Sequence, residues 1–395
     1  MITPTPASQI SSSSVQWRPR RLFVNTGVRN HPWVEQIVAR FPELSPQLVE
    51  THEEVYAALN RYINPEAVGK RWLYLARHTG QFLKPCPGLD PQLACCNLWV
   101  LNTAIGCPLD CTYCFLQTYL PRHLVTLFVN LDDLERELDA LLASQPGRFF
   151  RVCTGELSDS LALDPLFACS RRLVEIFTAR PRLSIELKTK TDDVAALHGL
   201  NHRGRVVVSW TLNAPAIASH EEHGAASLQA RLSAARRAAS WGYRVGFHFD
   251  PIVEFPGWQA EYESVVEMLF DSISDEAIAW ISLGTLRFDR GLKSIVQRRF
   301  PSSRIIYGEF IPGPDGKMRY PAPLRAELYR RLADAVRARS SRVPLYLCME
   351  SYQMWQRALG TAPCCRRDVA AVLQSSLDGA HPPADADKAS GRRSR

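Results

Sequence analysis

The 395-residue sequence contains no long apolar run, and its first residues do not have the pattern expected of a secretory leader. Its apolar stretches fall well short of the roughly 18–20 residues that a membrane-spanning helix needs. The N-terminus, MITPTPASQISSSSVQWRPRR, is polar and lacks the apolar core that a signal peptide carries. We therefore expect a cytoplasmic protein that does not associate with membranes.

The sequence also lacks the cysteine pattern of a disulfide-bonded protein. Its 11 cysteines are an odd number, so they cannot all pair within one chain. In a reducing compartment, buried thiols or metal ligands are the commoner uses of cysteine. Three cysteines, Cys107, Cys111 and Cys114, lie within eight residues in the stretch CPLDCTYC. This CxxxCxxC triplet needs a chemical explanation.

Acidic residues are scarce in one part of the chain. The net charge is +7, but between Arg287 and Arg342 there are 14 Lys and Arg residues against 5 Asp and Glu, so the remainder is slightly acidic. A basic block of this size can attract a polyanion such as nucleic acid. Its stretch LRAELYRRLADAVRARSSR also has helical periodicity, which is typical of a solvated helix face. Both interpretations stay open at this point.

The chain divides into five regions by composition and pattern. Residues 1–20 and 376–395 are rich in small polar residues and proline, which predicts a disordered N-terminus and tail. Residues 21–96 form an N-terminal α/β extension, with a strand at RLFVN and helical periodicity in PWVEQIVARF and VYAALNRYI. Residues 97–290 contain the regular alternation described next, and residues 291–375 form a basic C-terminal portion.

Short β-branched runs alternate with helical segments from residue 97 onward. The runs are LWVLNTAI, FFRVCTG, LSIELKTK, RVVVSWTL, RVGFHFDP and IAWISLGTL. Such alternation is typical of βαβ units and a parallel sheet, so the predicted fold class is α/β. Six units are too few for a closed eight-stranded barrel and suit a partial (βα)6 barrel or an open sheet.

Polar residues follow several of these predicted strands. Because the carboxyl ends of parallel strands meet at one edge of a sheet, a single site could collect them. The residues are Cys107 after the first run, Cys153, Thr154, Gly155 and Glu156 after the second, Lys188 and Lys190 after the third, Ser209 and Asn213 with the fourth, and His248 and Asp250 with the fifth.

Two kinds of metal site compete to explain the cysteine triplet. A structural zinc ion needs four ligands, usually in two CxxC-type pairs, and Cys86, Cys95 or Cys96 could supply a fourth thiolate. An iron–sulfur cluster held by three thiolates would leave one iron open for a small chelating molecule, which accounts better for the number three. A redox dithiol would need only two of the three.

The triplet and its surroundings resemble a known family. CxxxCxxC after the first strand of a six-unit βα partial barrel is similar to the signature of radical S-adenosylmethionine (SAM) enzymes. Within that superfamily, CPLDCTYCFLQTYL resembles the spore photoproduct lyase-like group. TKTDDV, VVSWTLN, RLSAARRAASWGYRVGFHFDPI and DGKMRY resemble further motifs of that group in the same order, over roughly residues 80–330.

The resemblance implies a cofactor site. Cys107, Cys111 and Cys114 would bind a [4Fe-4S] cluster whose open iron holds SAM. Lys190 and Ser209 match positions that contact the SAM carboxylate, and Asn213 belongs to the same fourth-strand motif. Tyr113 matches the position that packs the adenosyl group, and Thr154, Gly155 and Glu156 lie where the superfamily binds the methionyl amino group. Reductive cleavage of SAM would then yield a 5′-deoxyadenosyl radical that abstracts hydrogen from substrate.

The resemblance also implies a reaction. The family splits a methylene-bridged thymine dimer into two thymines, and Cys153 matches the cysteine that returns a hydrogen atom to the product radical. Tyr113 is the second predicted catalytic residue. Phe115 departs from the family, which has a tyrosine there that helps to relay hydrogen. Two alternatives stay open: a radical SAM enzyme acting on another, nucleic-acid or other, substrate, and a non-catalytic zinc-stabilised nucleic-acid-binding protein.

DNA is the expected partner. Lys317, Arg319 and Tyr320 offer cations and an aromatic ring, which suit phosphates and a splayed base. His248 and Asp250 either line the substrate pocket or satisfy each other's hydrogen bonds. We further expect an external electron donor of the flavodoxin or ferredoxin type, and a monomeric protein.

Overall fold

The computed structural model of the protein describes residues 17–86 and 92–377. The strands are β1 Arg21–Asn25, β2 Gln47–Val49, β3 Trp72–Ala76, β4 Leu83–Pro85, β5 Leu93–Ala94, β6 Trp99–Leu101, β7 Ala104–Ile105, β8 Asp110–Cys111, β9 Val125–Phe128, β10 Phe150–Thr154, β11 Leu183–Thr189, β12 Val206–Thr211, β13 Glu222–His223, β14 Arg244–Ile252, β15 Ile278–Thr285, β16 Arg287–Phe288, β17 Ile311–Pro312, β18 Met318–Arg319, β19 Leu345–Leu347 and β20 Glu350–Ser351.

The helices complete this order. They are α1 Pro32–Ala39, α2 His52–Leu59, α3 Pro65–Gly69, α4 Leu116–Tyr119, α5 Leu131–Ser144, α6 Asp164–Phe167, α7 Cys169–Thr178, α8 Pro215–Glu221, α9 Leu228–Ser240, α10 Trp258–Ser272, α11 Leu292–Arg299, α12 Ala322–Arg339, α13 Tyr352–Leu359 and α14 Arg366–Ser375. Short 3-10 turns lie at Thr26–Val28, Ala195–Leu197 and Asp275–Ala277.

The larger sheet is a curled half-barrel of parallel strands. Among the described residues its order is β19-β15-β14-β12-β11-β10-β6-β4, and only the edge strand β4 is antiparallel to its neighbour. The other strands pair in parallel along the whole sheet. All carboxyl ends of these parallel strands therefore meet at one edge, as expected for an α/β site.

The six predicted strands are confirmed as β6, β10, β11, β12, β14 and β15, and the fold is the predicted partial barrel. Two differences from strict βα alternation appear. The connection between β11 and β12 contains the 3-10 turn Ala195–Leu197 instead of an α-helix. A seventh parallel strand, β19, pairs with β15 and comes from the predicted basic C-terminal portion. Its three residues carry too short a pattern to predict a strand.

The inner face of the half-barrel is more polar than a parallel sheet usually is. Side chains on a strand alternate between the two faces. On β11, Ile185 and Leu187 are fully buried on one face, and Glu186 and Lys188 lie on the other. The apolar face packs against helices such as α7. The polar face lines the interior of the barrel, where the site lies.

A second sheet, of order β2-β1-β3-β9-β7, contains the N-terminal strands. The predicted strand RLFVN is β1, and the two predicted helices are α1 and α2. Strands β9 and β7, however, come from residues after 96 and complete this sheet. The N-terminal extension is therefore not a separate unit, because the chain returns to it after the cysteine triplet.

Most residues of the two termini that we predict to be disordered, 1–16 and 378–395, are not among the described residues. Trp17 contacts the core, and its indole Nε1 donates to the carbonyl oxygen of Lys70 at 3.0 Å. Ser376 is buried at the end of the last helix. In the described part of the chain, no helix is both long enough and apolar enough to cross a membrane.

Candidate active site

The three cysteines of the triplet lie on one loop between the two sheets. Cys107 follows β7 of the N-terminal sheet, Cys111 ends the short strand β8, and Cys114 precedes α4. Gly106 turns the chain into the loop with φ +80, and a Cβ there would lie 2.1 Å from the carbonyl oxygen of Leu124. Only glycine fits such a position without displacing backbone.

Two cations hold the loop from outside. The Lys70 ammonium group donates to the carbonyl oxygens of Cys107 at 3.0 Å and Leu109 at 2.5 Å. Arg299 on α11 donates from Nη2 to both carboxylate oxygens of Asp110, at 3.1 and 2.9 Å. Both cations come from distant parts of the sequence. The loop is therefore fixed by tertiary contacts and does not depend on regular secondary structure of its own.

Two consecutive glutamates, Glu221 at the end of α8 and Glu222 in β13, hold the loop from the other side. Glu222 pairs in antiparallel register with Cys111. The backbone carbonyl oxygen of Glu221 accepts from the Thr112 backbone N–H at 2.9 Å, and its carboxylate accepts from the Thr112 hydroxyl. The Tyr113 hydroxyl donates to Glu222 Oε1. Tyr113 is therefore buried with its hydroxyl group already bonded.

The Glu222 carboxylate is buried and ion-paired. Arg231 on α9 lies 2.5 Å from its Oε2, and both side chains are almost completely buried. Burial opposes ionisation of Glu222, but Arg231 and then Lys190 hold its pKa below the ordinary value. The amide of Asn213 donates to the carbonyl oxygen of Pro251 at 3.1 Å, and Tyr262 donates to Asn213 Oδ1 at 2.6 Å. Asn213 thus ties together strand ends.

The three thiols fit the cluster that the resemblance implies. All three are free, and the charges of Cys107 and Cys114 each raise the pKa of Cys111. Burial raises the pKa of Cys107 to about 12 and that of Cys111 above its usual range, so loading with metal must release protons. Lys70 and Lys190 lie close enough to offset the thiolate charge.

The same arrangement is less suited to a single zinc ion. Within the described ranges, no group of three or more His, Cys, Asp or Glu side chains is arranged to hold one metal ion. A zinc site gathers four ligand atoms around one ion. In a cubane cluster each thiolate binds a different iron, so the sulfur atoms stand further apart.

Cys153 lies at the end of β10 on the inner face of the barrel. Its strand pairs with β6, which leads into the triplet loop, and with β11. The thiol is buried and donates to the carbonyl oxygen of Thr154 at 2.9 Å. Burial, and then the Glu186 charge, raise its pKa well above the ordinary value. Cys153 is therefore a neutral S–H group, the form that can give up a hydrogen atom.

The predicted methionyl-binding segment forms a tight turn after β10. Gly155 has φ +95, and a Cβ there would lie 3.0 Å from the Lys188 carbonyl oxygen. The Thr154 hydroxyl donates to Ser160 Oγ at 2.6 Å. Glu156 lies 3.1 Å from the Lys84 ammonium group and accepts from Asn102 at 3.1 Å. Its carboxylate is thus already paired within the protein.

Lys190 lies between this turn and Tyr113. Its backbone N–H donates to Asp159 Oδ2 at 2.7 Å, and its ammonium group lies 5.7 Å from the centre of the Tyr113 ring. Ser209 is completely buried on β12, in register with Lys188 of β11. The structure brings Lys190 and Tyr113 together, and the SAM-binding roles of these residues stay predictions.

His248 belongs to a buried polar network inside the barrel. Its Nε2 lies 2.6 Å from Glu186 Oε1, and its Nδ1 lies 3.1 Å from Ser282 Oγ. Burial and then Lys188 lower the pKa of His248, so its imidazole is neutral near pH 7. The Glu186 carboxylate can only accept, so Nε2 carries the proton and Nδ1 accepts from Ser282. His248 therefore bonds to Glu186 and not to Asp250.

Asp250 is paired with a residue from the basic block. The Arg287 guanidinium group donates to both Asp250 oxygens at 3.1 Å. Burial opposes ionisation of Asp250, but Arg287 and Lys188 keep its pKa below the ordinary value. The half-buried Lys188 side chain is charged and forms no hydrogen bond among the described residues. It is therefore available to meet a ligand.

Glu186, Glu222, Arg231 and Arg287 were missed from the sequence. Glu186 carried a usable signal, because a charged residue inside the apolar run LSIELKT is unusual in a parallel strand. Glu222, Arg231 and Arg287 carried none, because their partners lie far away in the sequence.

The predicted DNA contacts at Arg319 and Tyr320 need correction. Arg319 is only 3% exposed and pairs with Asp315 at 2.6 Å, and Tyr320 is 2% exposed and stacks on Phe310 at a centroid distance of 4.9 Å. The Tyr320 ring is buried against Phe310 and cannot stack on a base. The Arg319 guanidinium group is buried against Asp315 and cannot reach a phosphate. Lys317, on the same turn, is half-buried and stays a candidate.

A curled parallel half-barrel with three thiols on the loop after its first strand defines the class of radical SAM enzymes. The spore photoproduct lyase family profile matches residues 95–310. The chain belongs to the spore photoproduct lyase family, whose members are radical SAM lyases that use a [4Fe-4S] cluster and SAM.

Curated relatives and solved structures agree with this assignment. The chain is 25% identical over 300 residues to a spore photoproduct lyase of Geobacillus sp. (strain Y412MC61), covering 73% of this chain and 84% of that protein. It is 25% identical over 297 residues to a spore photoproduct lyase of Bacillus subtilis (strain 168), with the same coverage.

Among solved structures, a spore photoproduct lyase complexed with dinucleoside spore photoproduct superposes with a TM-score of 0.74 at 21% identity, covering 84% of this chain and 98% of that one. A mutant of that enzyme with bound AdoMet gives a TM-score of 0.75. The predicted fold, family and enzyme class are confirmed. The non-catalytic zinc alternative is not favoured.

Proposed function

We propose that this protein repairs a thymine-dimer lesion in DNA by reversing the methylene bridge between two thymines. One observation carries the proposal: Cys153, a buried and protonated thiol, lies on the inner face of the barrel one strand away from the triplet loop. When bound, the cluster and SAM would supply the radical that abstracts hydrogen from the lesion. Cys107, Cys111 and Cys114 would hold the cluster.

The protein's own residues act on the later steps. Cys153 gives a hydrogen atom to the carbon radical of the product, so an S–H bond breaks and a C–H bond forms. The Cys153 thiyl radical that remains takes up one electron, from the external donor that we predict, and one proton, which restores the S–H bond before the next turnover. Tyr113 packs near Lys190 at the SAM side of the interior, and its bond to Glu222 fixes the ring. Burial of this interior excludes water from the radicals.

Anaerobic turnover of a defined lesion tests the proposal. The reconstituted enzyme is mixed with SAM, dithionite and a dinucleotide carrying the spore thymine lesion, and mass spectrometry follows 5′-deoxyadenosine and thymidylyl-thymidine. We expect the wild type to restore thymidylyl-thymidine and Cys153→Ala to lose most of that product while still cleaving SAM. Cys169→Ala, which removes a buried thiol outside the barrel interior, is the matched control.

If 5′-deoxyadenosine forms in the wild type and the lesion survives, the substrate assignment is wrong. The radical SAM alternative acting on another substrate would then replace it. The two products must be measured separately because Phe115 lacks the hydroxyl group that the family tyrosine has. DNA as the natural partner, the electron donor of the flavodoxin or ferredoxin type, and the monomeric state stay predictions.

A further inference from the structure

The basic block of residues 287–342 splits into two parts in the structure. Most of its cations form ion pairs with carboxylates elsewhere in the chain, among them Arg298 with Glu66, Arg331 with Glu263, and Arg339 with Asp271. These arginines are structural. Their charges are offset locally and contribute little to a field that would attract a polyanion.

Several cations of the block have no ion pair among the described residues. Two of them lie beside one exposed ring, and a third is close to them in the sequence. Arg290, Lys293 and Arg304 are exposed and form no ion pair among the described residues. Lys293 Nζ lies 6.0 Å from the centre of the Tyr307 ring, and the Arg304 guanidinium carbon lies 5.8 Å from it. Tyr307 is itself 50% exposed. An exposed ring between two unpaired cations is thus the centre of a surface feature.

This feature is continuous with the triplet loop. Thr118, on α4, donates to Asp289 at 3.2 Å, and Gly291 lies against the Thr118 side chain. On the same helix turn Phe115 and Tyr119 are 36% and 57% exposed, with ring centres 5.8 Å apart. Phe115 directly follows Cys114. We call Phe115, Tyr119, Arg290, Lys293, Arg304 and Tyr307 the aromatic–cationic strip.

We infer that the aromatic–cationic strip binds the DNA strand that flanks the lesion, with its cations on phosphates and its rings against bases. Cations interleaved with exposed rings are typical of single-strand binding surfaces, because each base has a face that can stack. The strip leads away from the loop that holds the triplet, so flanking nucleotides could follow it while the lesion enters the barrel. The inference rests on the proposed function only for the identity of the strand.

The exposed rings, and not the charges, favour a nucleic acid over an acidic protein here. Three unpaired cations alone would suit either partner. The exposed rings of Phe115, Tyr119 and Tyr307 add flat stacking surfaces along the same line, and such surfaces suit bases. The buried positions of Arg319 and Tyr320 remove the other aromatic–cation pair that the sequence offered.

The test measures binding and does not depend on turnover. Fluorescence anisotropy gives the affinity of the reconstituted protein for a labelled oligothymidylate of about 12 nucleotides, a length within single-strand site sizes. The triple variant Arg290→Ala/Lys293→Ala/Arg304→Ala should bind about tenfold more weakly at low salt. Its log–log salt slope should fall by about 2, since each single-strand phosphate contact contributes about 0.7.

Matched controls separate the strip from general charge. Arg29→Ala/Arg236→Ala/Arg357→Ala removes three exposed arginines elsewhere and should leave the affinity and the salt slope nearly unchanged. Tyr307→Ala should weaken binding about tenfold, Tyr307→Phe should restore it, and Tyr62→Ala, at an exposed ring that packs against Trp72, should have no effect.

Two outcomes would overturn the inference. In the first, the strip triple variant binds the oligonucleotide as tightly as the wild type. An acidic electron-donor protein would then be the next partner to test. An equal loss in both triple variants is the other, because it would show only net charge. If the wild type repairs the lesion dinucleotide and the strip variants bind the oligonucleotide as tightly as the wild type, only this inference is wrong. If the strip variants bind more weakly and the wild type repairs no lesion, only the proposed function is wrong.

Discussion

The half-barrel carries charged side chains on its inner face, whereas the N-terminal sheet is built almost entirely from apolar ones. Strand β11 presents Glu186 and Lys188 to the interior. Strand β3 of the N-terminal sheet, WLYLA, is buried along its whole length and has no charged residue. Both sheets are mainly parallel and both support the triplet loop, so the difference does not follow from topology.

The difference follows from the energetic cost of burying charge. A buried charge destabilises a fold by several kcal/mol unless it is paired and hydrogen-bonded. A buried neutral polar group without a hydrogen bond still costs about 1–3 kcal/mol. The half-barrel meets this cost with pairs such as Asp250 with Arg287 and Glu222 with Arg231. Such arrangements are found where ligands bind, because the field they create is needed there. The N-terminal sheet bears no such cost and serves as a scaffold.

Removing a cluster thiol should have the largest effect of all. For Cys111→Ala we expect complete loss of the broad absorbance near about 400 nm and of SAM cleavage after reconstitution, since three thiolates are needed to hold the cluster. The apo variant should stay folded. Cys169→Ala is the control, because it removes a thiol that is equally buried but lies on α7. A brown, active Cys111→Ala protein would contradict the assignment of the site.

Breaking a buried pair of the half-barrel should cost stability and function together. Arg287→Leu leaves the Asp250 carboxylate without its partner, so the free energy of unfolding should fall by about 3–5 kcal/mol in a urea titration. Activity per folded molecule should fall as well, because Asp250 and Lys188 share the interior. The double variant Arg287→Leu/Asp250→Leu removes the stranded charge and should recover much of the stability. No recovery would mean that packing, and not charge, explains the loss.

A change in the N-terminal sheet should separate stability from function. Leu73→Ala removes a fully buried side chain from β3 and should lower the free energy of unfolding by about 2–5 kcal/mol. Lesion turnover per folded molecule, measured below the melting temperature, should stay close to that of the wild type. If activity falls in proportion to the loss of stability at a temperature where the variant is fully folded, the two sheets do not differ in role.

The smallest effect should come from a histidine that lies between the two regions. Burial, and then Lys70 and Arg299, lower the pKa of His123 to about 4. The imidazole is neutral in the folded protein and gains its proton near pH 6.5 when unfolded, so stability falls as the pH drops from 6.5 toward 4. At pH 5 the loss is about 2 kcal/mol.

A substitution isolates this contribution. In His123→Gln the decline in stability between pH 7 and pH 5 should be smaller than in the wild type by that amount, as measured by urea titration at each pH. Leu73→Ala, which removes no titratable group, should lower the whole profile and leave its shape unchanged. Identical pH profiles for the wild type and His123→Gln would show that the imidazole is not buried in neutral form.

Local pattern determined much of this protein. Six β-branched runs, the helices between most of them and the CxxxCxxC loop could all be predicted, because strand alternation, helical periodicity and ligand spacing act over a few residues. The Lys and Arg residues of the basic block could be counted from the sequence. Which of them are available to bind a partner could not be predicted. Whether an arginine meets a carboxylate or faces water depends on residues that the sequence places far away, as with Arg287 and Asp250.

Tertiary structure decided the rest. It returned β9 to the N-terminal sheet, brought Glu222 to Tyr113 across more than 100 positions, and buried Arg319 and Tyr320 while leaving Arg290, Lys293 and Arg304 exposed. The physical reason is that the free energy of a charged or aromatic side chain is set by its burial and its partners. Residue type and spacing fix the strands and predict the metal-ligand set, and only the folded chain fixes which side chains are free to bind.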